Sequence, residues 1–163
     1  MIKIKKIIFL VSTILTSSFS FEYKNIDSFL SLENYPSVSE FEKNYEAYTQ
    51  TCVDNTGVSS GSIRCLVSQK LWEREAIIYF MKLSQLINEP REYKIFLQSY
   101  NAWSESLLKD KELSTLIANK SNNDIGTMYD FMRAEHSNFL ITSILKERAL
   151  FYKNTLETLL QNQ

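Results

Sequence analysis

The sequence has little glycine, proline, cysteine or histidine. Its 163 residues include three glycines, two prolines, two cysteines and one histidine. A loop that cradles phosphate groups needs several closely spaced glycines, and no such loop occurs in the chain. A structural metal site needs three or four convergent ligands, and no grouping of cysteine and histidine supplies them. We therefore predict that the protein holds no metal and no cofactor.

Side chains for acid–base or nucleophilic catalysis are equally scarce. His136 stands between Glu135 and Ser137, and no glycine-framed serine or cysteine nucleophile accompanies it. Glu73 and Glu75 are two positions apart, which places them on different sides of a helix. We predict that the protein is not an enzyme. A hydrolase with two facing carboxylates is a further hypothesis, which requires a cleft of substrate size.

The first 20 residues have the three parts of a secretory signal peptide. Three lysines lie among the first six residues. An apolar run follows over residues 7–15, and a small-residue cleavage site ends the segment at residues 18–20. This apolar run is too short to span a bilayer, because a spanning helix needs about 20 residues. We predict a periplasmic or secreted protein that starts near Phe21 and has no stable membrane insertion after cleavage. An uncleaved N-terminal anchor is the alternative.

Removal of the first 20 residues changes the charge balance of the chain. Lys+Arg falls from 18 to 15 while Asp+Glu stays at 19, so the net charge changes from −1 to −4. A weakly acidic exported protein has no electrostatic basis for binding nucleic acid. The same charge favours a cationic protein partner.

Two cysteines in an exported chain predict one disulfide, between Cys52 and Cys65. Twelve residues separate the two cysteines, whereas redox pairs usually have the close Cys-x-x-Cys spacing. We therefore predict a structural bond. Closing a loop of this length stabilises a fold by roughly 3 kcal/mol in the chain-entropy model.

Apolar residues recur at helical spacing through most of the chain. Ser37 and Glu40 have the form of a capping box and predict a short helix that ends by Thr51. A turn-rich loop follows over residues 53–61. A first long helix is predicted to start at Cys65, with that residue in its first turn and Ser60 or Ser62 as its cap.

Asn88-Glu89-Pro90 ends the first long helix, and Pro90 suits the first turn of a second. A polar loop at residues 119–124 precedes one long helix, or two collinear helices, over residues 127–160. No stretch alternates long enough to predict a strand. The prediction is an all-α fold, a small antiparallel bundle of three main helices plus a short N-terminal helix, with one disulfide-closed loop. We divide the chain into a signal peptide (1–20), an N-terminal arm with a short helix (21–51) and a helical domain (52–163).

Tyrosine is concentrated in the N-terminal arm. A tyrosine side chain has a large contact area and a polar tip, as binding surfaces often use. The candidate partner surface consists of Tyr23, Tyr35, Tyr45, Tyr48, Asp54 and Asn55. The alternative is that the tyrosines attach the arm to the bundle.

The order of several residues resembles a known family. The Cys-x12-Cys loop contains Thr56, and the following helix carries Glu73 and, seven positions later, Phe80. Further along the chain are Leu97, Trp103, Gly126-Thr127-Met128 and Arg148-Ala149-Leu150. This order is similar to that of the LprI-type lysozyme inhibitors, small exported helical domains of which many have unknown function. The resemblance covers residues 52 to about 157.

The resemblance implies a helical domain in which Glu73, Phe80, Trp103, Gly126 and Arg148 have structural roles. It also implies that the protein binds and inhibits lysozyme in the periplasm or outside the cell. A disulfide-pinned loop over residues 53–64, or the tyrosine-rich arm, is the predicted contact surface. The second hypothesis is a periplasmic helical adaptor or assembly partner without an enzyme target, which predicts an exposed apolar patch.

Overall fold

The structure, a computed structural model, describes residues 21–161 as a set of helices. Helix α1 spans Val38–Thr56, α2 spans Ser68–Leu86, α3 spans Pro90–Ser121 and α4 spans Thr127–Gln161. Short 3-10 helices cover Ile26–Ser28, Leu32–Asn34 and Ser60–Cys65. No strand occurs between residues 21 and 161, and the all-α prediction is confirmed. The predicted signal peptide lies outside the described residues.

Helix α1 begins as predicted but continues further. The Ser37 hydroxyl accepts a hydrogen bond from the Glu40 amide at 3.2 Å, which satisfies one of the free amides at the helix start. The helix ends at Gly57, where φ is 73°, a value that favours glycine. The prediction of a short helix ending by Thr51 is wrong, because α1 has 19 residues, as many as α2. Its polar last turns remain helical because buried Cys52 continues the apolar face.

The segment between α1 and α2 also differs from the prediction. Cys65 ends the 3-10 helix and does not lie in the first turn of α2, which begins at Ser68. Neither Ser60 nor Ser62 caps α2, because the residue before its first turn is Val67. The disulfide itself is confirmed: the Cα atoms of Cys52 and Cys65 are 5.6 Å apart, and both side chains are fully buried. It joins the last turns of α1 to the 3-10 helix.

Helix α4 lies at the centre of the fold. It is a single helix, and it packs most extensively against α2 and next against α3. It buries Phe131, Ile141, Leu145, Ala149 and Tyr152, while α2 buries Trp72 and five further residues. Burial of this apolar surface is the main driving force for the fold.

Helix α3 is long but weakly buried. Pro90 occupies its first turn, as predicted, and the helix then runs to Ser121, so the polar loop is shorter than predicted. Only Leu107, Ser114 and Ala118 of its 32 residues are buried. Much of α3 therefore stabilises the fold less than α2 does.

The N-terminal segment (residues 21–36) is fixed to α2 by an ion pair. Arg74 donates to the carbonyl oxygens of Ile26, Phe29 and Leu30 at 2.8, 2.8 and 3.0 Å, and twice to the Glu75 carboxylate. The other Glu75 oxygen accepts from the Leu32 amide at 3.0 Å. Glu75 is fully buried, so loss of these donors would leave a buried carboxylate without its partners, which destabilises a fold.

Candidate functional site

The disulfide loop (residues 53–64) is held together by hydrogen bonds of its hydroxyl groups as well as by the disulfide bond. Ser62 is fully buried and donates to the Gly57 carbonyl, while the Thr56 and Ser62 hydroxyls are 3.0 Å apart. The loop exposes Val58 and Ile63 to solvent, at 50% and 37% of their surface. It therefore combines a fixed backbone with an apolar tip.

Two of the predicted contact tyrosines are buried. Tyr45 and Tyr48 expose only 5% and 8% of their surface. The Tyr45 hydroxyl accepts from the Trp72 indole N–H at 3.2 Å, and the Tyr48 hydroxyl accepts from the Lys24 amide at 3.0 Å. Burial raises the pKa of Tyr45 far above its usual value, with a smaller contribution from the neighbouring carboxylate of Glu42. Tyr45 and Tyr48 attach α1 to the bundle, and their assignment to a contact surface is wrong.

The other two tyrosines are half-buried. The Tyr23 hydroxyl donates to the Gly61 carbonyl at 3.2 Å, which connects the N-terminal segment to the disulfide loop. The Tyr35 ring packs edge-on against Phe41, with 5.5 Å between ring centroids. These rings retain part of their surface for a partner, although each also has a structural contact.

Asp54 and Asn55 are exposed, and they lie in the part of the disulfide loop that is helical, the last turn of α1, and not in a turn-rich segment. Asp54 accepts from the Gln50 side chain at 2.7 Å. Glu42, Glu46, Gln50 and Asp54 follow at four-residue intervals and form a polar stripe along α1. This stripe ends at the disulfide loop.

A groove of about 540 Å³ lies between α1 and α4. We call it the acidic groove, because Glu42, Glu46 and Glu135 line it together with a single cation, Lys146. Lys146 pairs with Glu42 at 2.7 Å, which leaves two of the three negative charges in the groove without a cation. Phe139, 72% exposed, lies at its edge.

Sequence reasoning missed the acidic groove. Glu42 and Glu46 lie on α1, whereas Glu135 and Lys146 lie on α4, and Lys146 is 104 positions from Glu42. The available signal was the four-residue spacing of Glu42 and Glu46. No local pattern indicated which helix faces them.

Three of the predicted structural positions lie in one aromatic cluster. The Phe80 ring stacks on Phe96 at 4.8 Å and contacts Tyr100 at 4.2 Å, between ring centroids. The Tyr100 ring is also a neighbour of the Trp103 ring. The Arg148 guanidinium lies over Trp103, 5.1 Å from its ring centroid. The cluster joins α2, α3 and α4.

The remaining two positions lie elsewhere. Glu73 pairs with Lys111 of α3 at 3.1 Å. Gly126 precedes α4 with φ of 140°, a backbone conformation that other residues rarely adopt. Each of these positions has a structural contact or a backbone constraint.

The described residues bring no metal-ligand set together. Between residues 21 and 161, no group of three or more histidine, cysteine, aspartate or glutamate side chains could bind a metal ion. Glu73 is turned towards α3 and Glu75 towards the N-terminal segment, so the two carboxylates do not form a pair.

No helix in the described part of the chain combines the length and the apolar composition needed to cross a membrane. Comparisons with protein-family models, with curated proteins and with solved structures find no match to this chain. The resemblance to the LprI-type family stays a prediction that these comparisons do not test.

Proposed function

We propose that this chain is an exported binding protein that docks on a cationic protein partner through the acidic groove and the neighbouring disulfide loop. The observation that carries the proposal is the excess of carboxylates in the groove, three against one lysine, beside an exposed phenylalanine. Lysozyme is the partner that the resemblance to the LprI-type family implies, and lysozymes are typically cationic.

The distribution of charge supports this proposal better than the net charge does. A potential concentrated in a groove steers an oppositely charged partner and raises its association rate. The polar stripe on α1 continues the negative charge from Glu42 to Asp54 at the disulfide loop. We therefore expect binding that weakens as salt concentration rises.

The disulfide loop supplies the second part of the proposed surface. Its backbone is fixed by the disulfide and by Ser62, so docking orders few additional residues. Pre-organisation of this kind lowers the entropic cost of binding. The disulfide is also compatible with an oxidising compartment outside the cytoplasm.

The experiment is a titration of residues 21–163 with a cationic lysozyme, followed by calorimetry and by the rate of cell-wall lysis. We expect micromolar or tighter binding with inhibition. The double variant Glu46→Lys/Glu135→Lys should weaken binding at least about tenfold, because two attractive charges become repulsive.

A matched control changes the same number of charges on α3. The variant Glu92→Lys/Glu105→Lys alters exposed residues outside the groove and should bind within about twofold of the parent chain. Absence of both binding and inhibition at micromolar concentration would contradict the proposal. Equal weakening by the two double variants would show that only net charge matters.

A second candidate, a helical adaptor without an enzyme target, is favoured by exposed apolar side chains where α3 meets α4. These are Leu113, Leu116, Ile117, Ile125, Met128 and Met132, with exposed fractions of 39% to 99%. Exposed apolar groups in such numbers are typical of interaction sites. Light scattering for self-association and a pull-down from the native periplasm, run beside the lysozyme assay, separate the two candidates.

A further inference from the structure

A second cleft carries the opposite charge. It has a volume of about 680 Å³ and lies between the N-terminal segment, the disulfide loop, the start of α2 and the region where α3 meets α4. We call it the basic cleft, because its lining includes Lys24, Arg64, Lys70 and Arg133 and contains no aspartate or glutamate.

Three of the four cations have no acidic partner. Between residues 21 and 161, seven of the 15 lysines and arginines form a salt bridge, and Lys24, Arg64 and Lys70 are not among them. Arg133 pairs with Asp130 and donates to the carbonyl oxygens of Asn122 and Asp124. The cleft therefore has an uncompensated positive charge.

Aromatic rings hold two of these cations in place. The Lys24 ammonium lies 5.3 Å from the centroid of Phe29 and 5.5 Å from that of Tyr48. The Arg64 guanidinium lies 5.5 Å from the centroid of Tyr23. Cation–π contacts restrict a long side chain without neutralising its charge. Both cations remain able to pair with an anion.

The rest of the lining is a mixture of amides and apolar groups. The side chains of Gln69 and Asn119 supply N–H donors, and the apolar members are Ile26, Ile63, Leu66, Val67, Ala118 and Ala134. A volume of this size is in the range of small-molecule sites, about 300–1,000 Å³. An apolar lining with a few cations suits a molecule that is apolar at one end and anionic at the other.

We propose that the basic cleft binds a small amphiphilic organic anion, with a carboxylate or phosphate group held by Arg64 and Lys70 and an apolar body among Ile26, Ile63 and Val67. This inference does not rest on the charge of the acidic groove, although the disulfide loop contributes to both proposed surfaces. A lipid or a free metabolite could supply such a molecule, since both present the same chemistry.

The test uses octyl phosphate below its micelle concentration, titrated into residues 21–163 and followed by calorimetry. Octylammonium, octanol and inorganic phosphate are the comparison probes. We expect saturable binding of octyl phosphate, at least about tenfold tighter than that of each comparison probe, because charged hydrogen bonds and apolar burial both contribute. Equal binding of octanol, or equal binding of inorganic phosphate, would overturn the proposal.

Two matched variants locate the site. Arg64→Gln/Lys70→Gln should weaken octyl phosphate binding at least about tenfold. Lys94→Gln/Lys109→Gln removes the same charge from exposed positions of α3 outside the cleft and should leave binding within about twofold. Equal loss in both variants would overturn the assignment to this cleft.

Phosphatidylglycerol vesicles distinguish the two sources of the anion. Octyl phosphate binding together with cosedimentation on vesicles supports a lipid, and octyl phosphate binding alone supports a free metabolite. Cosedimentation without any octyl phosphate binding would overturn the proposal, because it would place the interaction on the outer surface.

Discussion

The acidic groove and the basic cleft are neighbours that differ in charge and in construction. Leu66 and Asn138 line both. Where the two clefts adjoin, the Ser68 hydroxyl accepts a hydrogen bond from the side-chain amide of Asn138 at 2.7 Å. The same hydroxyl lies 3.1 Å from the Thr142 hydroxyl. A net charge of −4 for residues 21–163 conceals this separation, because the charges of opposite sign are sorted by position.

The two clefts also depend on different parts of the fold. Most of the acidic groove is formed by α1 and α4, two long helices with buried faces. The basic cleft requires the N-terminal segment, which Arg74 and Glu75 fix, and the disulfide loop. We therefore expect the basic cleft to be the more fragile of the two, and the predictions below test this difference.

The largest effect is expected from Arg74→Ala. The substitution removes five hydrogen bonds and leaves Glu75 as an unpaired buried charge, which typically costs about 3–5 kcal/mol of unfolding free energy. Urea denaturation measures this loss of unfolding free energy. Octyl phosphate titration should show that the basic cleft is lost before the acidic groove. Arg91→Ala, at an exposed position of α3, is the control. A loss below about 1 kcal/mol would mean that the ion pair does not fix the N-terminal segment.

Removal of the disulfide should have the next largest effect. We expect Cys52→Ser/Cys65→Ser to lower the unfolding free energy by about 3 kcal/mol, because the unfolded chain gains freedom. Octyl phosphate affinity should fall further than lysozyme affinity, since the loop contributes Ile63 and Arg64 to the basic cleft, whereas the acidic groove, the charged part of the lysozyme surface, lies outside the loop. Urea denaturation and the two titrations measure these changes. Equal losses of affinity would remove the distinction between the clefts.

Tyr45→Phe tests the buried hydrogen bond between Trp72 and Tyr45, a residue that lines the acidic groove. The Trp72 indole N–H loses its acceptor in the core, which we expect to cost about 1–2 kcal/mol. Tyr93→Phe, at a 42% exposed position of α3, should be neutral in the same urea denaturation. A neutral result for both variants would show that this hydrogen bond contributes nothing to stability.

The smallest effect is a dependence of stability on alkaline pH. Burial raises the pKa of Tyr79 to about 12, with smaller contributions from nearby carboxylates, and burial also raises the pKa of Tyr152. An unfolded tyrosine has a pKa of about 10, so above this pH the unfolded chain binds fewer protons than the folded chain. Stability should therefore be fully present below pH 10 and decline between pH 10 and about 12.

Urea midpoints at pH 8, 10 and 11 measure this decline, together with tyrosinate absorbance. Tyr79→Phe should reduce the slope, because the substituted position no longer ionises in the unfolded chain. Tyr23→Phe, in the lining of the basic cleft, is the matched control. A slope unchanged by Tyr79→Phe would contradict the assignment to this residue.

The parts of the fold that depend on local patterns could be predicted from sequence. Ser37 with Glu40 marked the start of α1, and Pro90 marked that of α3. The end of α1 could not be predicted in this way, because buried Cys52 prolongs the helix through a polar stretch. Buried Glu75 lies on the apolar face of α2 beside Arg74, a signal that the sequence did contain.

Neither cleft could be predicted, because each combines residues that are distant in sequence. Glu46 and Glu135 line one groove only because the fold places α4 across it from α1. The basic cleft takes Lys24, Arg64, Lys70 and Arg133 from separate elements. Helical periodicity identifies the buried face of each helix but not which elements meet.

The most direct measurement is hydrogen exchange of one protein sample with lysozyme and, separately, with octyl phosphate. We predict that lysozyme slows exchange in residues 42–60 and 135–146, and that octyl phosphate slows it in residues 21–26 and 61–70. Protection of the same peptides by both ligands, or by neither, would contradict the account of two separate clefts of opposite charge.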